Sequence, residues 1–208
     1  MRQRRLFIRF VKTAAFVLCL LPLAVLTLQL RNGTLGANPV ESVLHDLGLW
    51  GLRFLWLTLS LTPLSLLFNW KWTFHLRRML GLFSFFYITL HILFYVGVDQ
   101  GFDWYGVWED VTVRTYLVFG AAAFLLLTPL AVTSNGPSMR LMGRLWKRLH
   151  RLIYPAAIFA SVHFWLSIKA DWREPAIYAA ILAGLLLVRV AYYFTRRYVR
   201  KTALHPKG

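Results

Sequence analysis

Six stretches of this chain are long and apolar enough to cross a hydrocarbon core about 30 Å thick as helices, and nothing else restricts its fold so strongly. They cover about residues 13–30, 47–68, 79–98, 116–132, 152–168 and 175–194. A lone segment in lipid satisfies its backbone polar groups only as a helix. The expected fold class is therefore all-α: a polytopic membrane protein, a six-transmembrane-helix bundle in which residues 1–208 form one domain. A chain that is 58% hydrophobic needs the bilayer as its solvent. The first stretch follows MRQRRLFIRFVK and starts like a signal peptide. Its apolar run is long and no clear small-x-small cleavage site follows, so it reads as a retained first helix.

The charges sort by side. Lys and Arg number 24 against 8 Asp and Glu, and eighteen of the 24 precede helix one, follow helix six, or lie between helices two and three or four and five. Those segments, including Lys207 in the tail, hold no acid; all eight acids, from Glu41 to Glu174, fall on the other side. The excess of basic residues on cytoplasmic loops places both termini in the cytoplasm. The net charge of +16 is then topology, and the expected surroundings are membrane lipid with no nucleic acid. A single cysteine, Cys19, leaves no disulfide framework, no zinc cluster and no C-x-x-C-H for covalent haem attachment. Trp50, Trp56, Trp70, Trp72, Trp104 and Trp108 crowd toward the predicted interfaces, as aromatic belts do. LTPL occurs at 61–64 before Asn69 and again at 127–130 before Asn135, an echo that would pair hairpin two-three with hairpin four-five.

The histidines carry the chemistry. His91 lies 13 residues beyond Arg78 and His163 12 beyond Arg151, on two helices that both run outward. At 1.5 Å per residue, both imidazoles sit roughly 18–20 Å above the inner boundary. A lone membrane histidine ordinarily just hydrogen-bonds across helices. Two at one depth can face each other, and the space between them suits a haem with iron held by both rings. Arg53 sits near that level with no acid in any span to neutralise it, and a haem propionate would supply the anion. Snorkelling to the outer interface is the plainer alternative. His150, at the cytoplasmic mouth of helix five, is a further candidate iron ligand, although on a straight helix it stands roughly 140° from His163. Pro155 between them would kink the helix and recover part of that angle. His75 reads as a loop histidine, and His45 and His205 as surface residues. Arg189, inside helix six, either snorkels or pairs an inner propionate or a flavin phosphate. The spans hold no Asp or Glu, which argues against a proton pump or a cation transporter with a carboxylate relay. No phosphate-cradling Gly loop, Ser-His-Asp set or paired carboxylates occur.

RRMLGLFSFFYITLH (77–91), RTYLVFG (114–120), LTPLAVTSN (127–135) and RLWKRLHRLIY with VHFW (144–165) resemble the MsrQ family, also called YedZ. Its members are haem-binding membrane subunits of the bacterial periplasmic methionine-sulfoxide reductase system, among the ferric-reductase-like transmembrane domains. The resemblance covers almost the whole chain. It implies one b-haem, or two, in a bundle of the bacterial inner membrane, with FMN as a second cofactor. It implies electrons from a cytoplasmic flavin reductase or the quinone pool, delivered to a periplasmic molybdopterin enzyme that repairs oxidised methionine. The family's haem histidines match His91, His150 and His163, with no fourth. The function expected is thus a non-catalytic electron-transfer subunit. The alternatives are a ferric reductase or quinol-oxidising cytochrome b with another acceptor, a haem-free small-solute transporter, and an assembly factor.

Overall fold

The computed structural model describes residues 2–68, 71–168 and 171–204; Asn69, Trp70, His205 and Lys207 lie outside them. Among the described residues the chain is all helical, with no strand. The elements are α1 (Arg2–Arg31), α2 (Pro39–Phe68), α3 (Phe74–Phe94), α4 (Trp104–Val113), α5 (Thr115–Val132), α6 (Gly136–Met142), α7 (Arg144–Leu149), α8 (Ile153–Ser167) and α9 (Arg173–Leu204). Five helices among the described residues are long and apolar enough to cross a membrane: Leu6–Arg31, Pro39–Phe68, Leu76–Asp99, Thr115–Val132 and Arg173–Thr195. The expected sixth span, 152–168, is α8, of only 15 residues. That is about 22 Å of helix against the ~30 Å of a hydrocarbon core.

The shortening has a local cause. The chain enters α8 through α7 and a 3₁₀ turn, His150–Leu152. Pro155 then falls in the first turn of α8, where its missing N–H was unpaired in any case. So Pro155 starts a helix instead of kinking one, and the angle counted along a continuous helix does not apply to His150 and His163.

α2 is apolar nearly all round, and the bundle closes on both its sides. Leu52, Leu55, Trp56 and Leu59 pack with Leu127 of α5 and Ala156 of α8, while Leu47, Phe54 and Leu61 pack with α1 and α3. Trp56 is therefore a core residue, donating Nε1–H to the Tyr178 carbonyl at 2.9 Å, and not a belt tryptophan. α3 approaches α2 along glycines, as small residues allow in membranes. A Cβ at Gly51 would lie 2.6 Å from Ile88, and Ser84 Oγ donates to the Gly51 carbonyl at 2.8 Å. His75, expected in a loop, is the second residue of α3.

One side chain of α3 hydrogen-bonds into the backbone of α1. Pro22 cannot donate and props its turn open. The fully buried Tyr87 of α3 inserts its hydroxyl into that opening, accepting from Leu23 N–H at 3.1 Å and donating to the Cys19 carbonyl at 2.8 Å. Leu23 N–H would otherwise bond to the Cys19 carbonyl directly, so the phenol bridges a broken rung. Tyr87→Phe should destabilise the bundle by about 2 kcal/mol or more, because two backbone groups lose their partner. A thermal melt in detergent reads this, and an unchanged midpoint would show the bridge to be unimportant.

The segment after α3 holds a helix that periodicity did not reveal. Asp103 caps α4 by accepting from the backbone of Tyr105 and Gly106. Asp110 ties it back to the end of α3, accepting from Tyr95 Oη at 2.9 Å and pairing with Arg114 at 3.1 Å. Trp104, Tyr105 and Trp108 remain exposed on its other face.

Candidate functional site

His91 of α3 and His163 of α8 meet. Their ring centres are 6.3 Å apart and their planes nearly perpendicular, at 83°. Each is fixed from behind in the same way. His91 Nδ1 is 2.9 Å from the Leu44 carbonyl of α2, and His163 Nδ1 is 2.7 Å from the Tyr116 carbonyl of α5. A carbonyl only accepts, so each Nδ1 carries the proton and each Nε2 keeps its lone pair. Neither Nε2 has a hydrogen-bond partner among the described residues.

A glycine stands behind each ring. Gly48 lies one turn after Leu44, and Gly120 one turn after Tyr116. A Cβ on Gly48 would be 3.2 Å from His91 Nδ1, and one on Gly120 only 2.7 Å from His163 Nδ1. Each hydrogen bond spans 47 residues. The α2–α3 and α5–α8 pairs therefore repeat one device, as the LTPL echo suggested, but in another register: Gly48 precedes its LTPL by more residues than Gly120 does. The glycines are the residues that sequence reading missed. Their signal was a helix glycine at one fixed distance before each membrane histidine.

The donor set fits an iron between the rings. Two imidazole–metal bonds of about 2 Å, with each ring centre about 1.1 Å behind its nitrogen, separate the centres by about 6.3 Å. Free Nε2 lone pairs backed by Nδ1–H···O=C bonds are the usual state of ligating histidine.

The other expected residues are placed differently. Arg53 lies five residues beyond Gly48, about 140° around α2, and so faces α9 instead of α3. Its Nε donates to Tyr178 Oη at 2.7 Å and its guanidinium lies 4.8 Å from the Trp50 ring centre. No carboxylate pairs with it, since the only ion pair among the described residues is Arg114–Asp110. His150 is distant from the facing pair in the fold, at the head of α8. Its ring stacks on Trp146 at 3.8 Å, its Nδ1 is 3.1 Å from the Trp146 carbonyl, and its Nε2 is 3.5 Å from Ser134 Oγ. Burial, with Arg77 nearby, holds His150 below the ordinary histidine value and so neutral, against the opposing pull of the Trp146 carbonyl. Arg189 does not snorkel. It turns inward, donates to the Leu59 carbonyl, lies over Tyr154, and leaves Nη1 buried without a partner. Thr62 Oγ1, three residues after Leu59 on α2, is likewise buried and unpartnered. His45 is exposed at the start of α2, its ring 6.3 Å from Phe164.

Residues 47–161 match the model of the ferric reductase like transmembrane component. A Rhodospirillum rubrum protein, named protein-methionine-sulfoxide reductase heme-binding subunit MsrQ, is 50% identical over 190 residues, 91% of each chain. The chain belongs to the MsrQ family. Relatives of the same name are 45% identical in Xanthomonas euvesicatoria, over 86% of this chain and 85% of theirs, and 43% identical in Caulobacter vibrioides, over 83% and 82%. The span matched to the family model runs from the start of the second apolar stretch nearly to His163, and takes in the Gly48–His91 unit and Gly120. Membership and the long apolar helices make it a multi-pass membrane protein.

Proposed function

We propose that this chain is the haem-binding membrane subunit of a protein-methionine-sulfoxide reductase system. It sits in the bacterial inner membrane with both termini in the cytoplasm. It takes electrons from a cytoplasmic flavin reductase or from quinol and hands them to a periplasmic molybdopterin enzyme that repairs oxidised methionine. One observation carries this reading: two imidazoles 6.3 Å apart, each with its free nitrogen unclaimed and the other tied to a carbonyl. The relatives' names, which state heme binding and the reductase, support it. Charge supports six crossings, α8 included. If α8 did not cross, Asp171 and Glu174 would join the basic face.

When bound, a b-haem supplies a one-electron carrier alternating between ferric and ferrous iron. The residues then do three things. The Leu44 and Tyr116 carbonyls fix the tautomer of each histidine and raise its donor strength. His91 and His163 would hold the iron between them, and an iron so held would serve electron transfer over oxygen chemistry. Phe85 of α3 and Phe124 of α5, stacked at 5.4 Å and parallel within 1°, tie α3 to α5 on the basic-end side of the pair. Arg53, with no carboxylate of its own, is the group we assign to a propionate. His150 would ligate a second haem in the inner half, and the orphaned Arg189 Nη1 of α9 suits an anionic substituent. FMN enters only through the family resemblance, with no residue assigned to it.

Reduced-minus-oxidised spectra of protein purified after haem-replete expression test the reading. Alpha bands of b-type haem are expected, and their absence would leave the transporter or assembly-factor alternatives. Arg53→Leu should lower haem occupancy or shift its potential. Unchanged values on both counts would remove that assignment. Co-purification of a periplasmic molybdoenzyme separates the proposed acceptor from that of a ferric reductase.

A further inference from the structure

The two histidine-bearing arms, α2 with α3 and α5 with α8, are tied to each other on both sides of the facing rings. On the basic-end side the tie is the Phe85–Phe124 stack. On the acid-bearing side it is one carboxylate, Asp110 of α4. Its Oδ2 accepts from Tyr95 Oη at 2.9 Å and from Gln100 Nε2 at 3.2 Å, while its Oδ1 pairs with Arg114 Nε at 3.1 Å. The Asp110 side chain is only 18% exposed, and its pair with Arg114 is the sole ion pair among the described residues. Hydrogen bonds to an ionised acceptor are the strong kind, so three donors converging on one carboxylate make a firm joint.

Each partner of Asp110 lies one step from a histidine. Tyr95 stands one helical turn beyond His91, and its backbone N–H donates to the His91 carbonyl. There α3 passes into a π turn, Tyr95–Asp99, which the two donors to Oδ2 flank. Such turns are rare and fall mostly at functional sites. On the other arm Arg114 caps α5, and Tyr116, two residues on, gives its carbonyl to His163 Nδ1. The Tyr116 ring also lies against that of His163, with centres 5.7 Å apart, and its hydroxyl accepts from Arg114 Nη1 at 3.3 Å. One carboxylate thus joins the end of the helix that carries His91 to the start of the helix that orients His163. We propose that Asp110 is a positioning residue for the haem ligands, clasping the two arms and so setting the distance and angle between the imidazoles. The proposal rests on His91 and His163 holding haem. Metal–ligand distances tolerate only about 0.2 Å. With the clasp open, the arms keep the Phe85–Phe124 tie alone and the rings splay on the acid-bearing side.

The test uses the purified full chain and two measurements. Asp110→Ala frees both arms, Tyr95→Phe frees α3, and Arg114→Gln frees α5. In the haem-loaded protein each should weaken haem binding, Asp110→Ala by about 10-fold, the low end for a group behind a metal ligand. Each should also shift the ferric low-spin paramagnetic resonance signal in one common direction. Tyr95→Phe added to Asp110→Ala should change nothing further, since both act through one carboxylate. A purely electrostatic role would instead move the midpoint potential in opposite directions for Asp110→Ala and Arg114→Gln and leave the parent signal intact; that result overturns the clasp. The second measurement needs no haem. Spin labels on Val98→Cys and Val118→Cys, both exposed positions, in a Cys19→Ser background report the separation of α3 and α5. The parent should give one narrow distance and Asp110→Ala a longer or broader one. A parent-like distance in Asp110→Ala, or parent-like haem affinity and signal in all three variants, would refute the proposal. Tyr95→Phe loses a single hydroxyl and carries both measurements if Asp110→Ala does not fold. A parent without b-type bands, whose labels still separate in Asp110→Ala, would sink the haem reading and leave the joint standing.

Discussion

Replacing His163 or His91 with alanine should strip the b-type absorption of the site they share, because a six-coordinate iron loses one of its two protein ligands. The remaining imidazole stays tied through Nδ1 to its own carbonyl, and no third histidine, cysteine or carboxylate gathers there among the described residues. Of the other described histidines, His45 is exposed at the start of α2 with its ring 6.3 Å from that of Phe164, the residue after His163; His75 is the second residue of α3; and His150 is stacked on Trp146 at the head of α8. The measurement is the pyridine-haemochrome content per protein beside the reduced-minus-oxidised spectrum. A variant that merely misfolded would give the same loss, so the decisive arm adds free imidazole. The vacated space should admit it and bring the bands back. An alanine variant that keeps full haem content and spectrum would refute the ligand assignment.

Alanine at Gly120 should do nearly as much harm without touching a ligand. The new methyl would stand 2.7 Å from Nδ1 and 2.9 Å from Cε1 of His163, so the ring must move and its bond to the Tyr116 carbonyl must lengthen. A loss of about 10- to 100-fold in haem affinity follows, the usual cost of disturbing the group that orients a metal ligand. Gly48→Ala should be milder, since its methyl meets His91 at 3.2 Å and a few tenths of an ångström relieve it. The readouts are haem affinity, midpoint potential and the electron paramagnetic resonance of the ferric form. The near-perpendicular rings predict a strongly anisotropic low-spin signal that Gly120→Ala should perturb more than Gly48→Ala. Equal effects, or none, would show that the glycines are spacers only.

The long apolar runs made the helices legible, because in lipid a helix is the only way an isolated segment satisfies its backbone. The facing of His91 and His163 was legible as well, from two depth counts that needed only the rise per residue. What escaped depended on helix rotation and close approach. Arg53 shares a helix with Gly48 but not a face, and a count of depth carries no angle. Trp56 resembled a belt residue by position, yet its indole is consumed by the Tyr178 carbonyl inside the core. α4 is short and its apolar residues face outward, so no buried stripe announced it. Pro155 has opposite meanings in the first turn and in the middle of a helix, and where α8 starts was decided by the turn before it.

The Tyr87 bridge sets an order on biogenesis. As the chain leaves the ribosome, α1 meets the bilayer with an open rung at Pro22, a carbonyl and an amide that hydrocarbon cannot solvate. Neither group is satisfied until α3 has emerged and docked. The first segment is thus an unfinished element that must wait, beside the translocon or with its gap wetted, for its third neighbour to complete it.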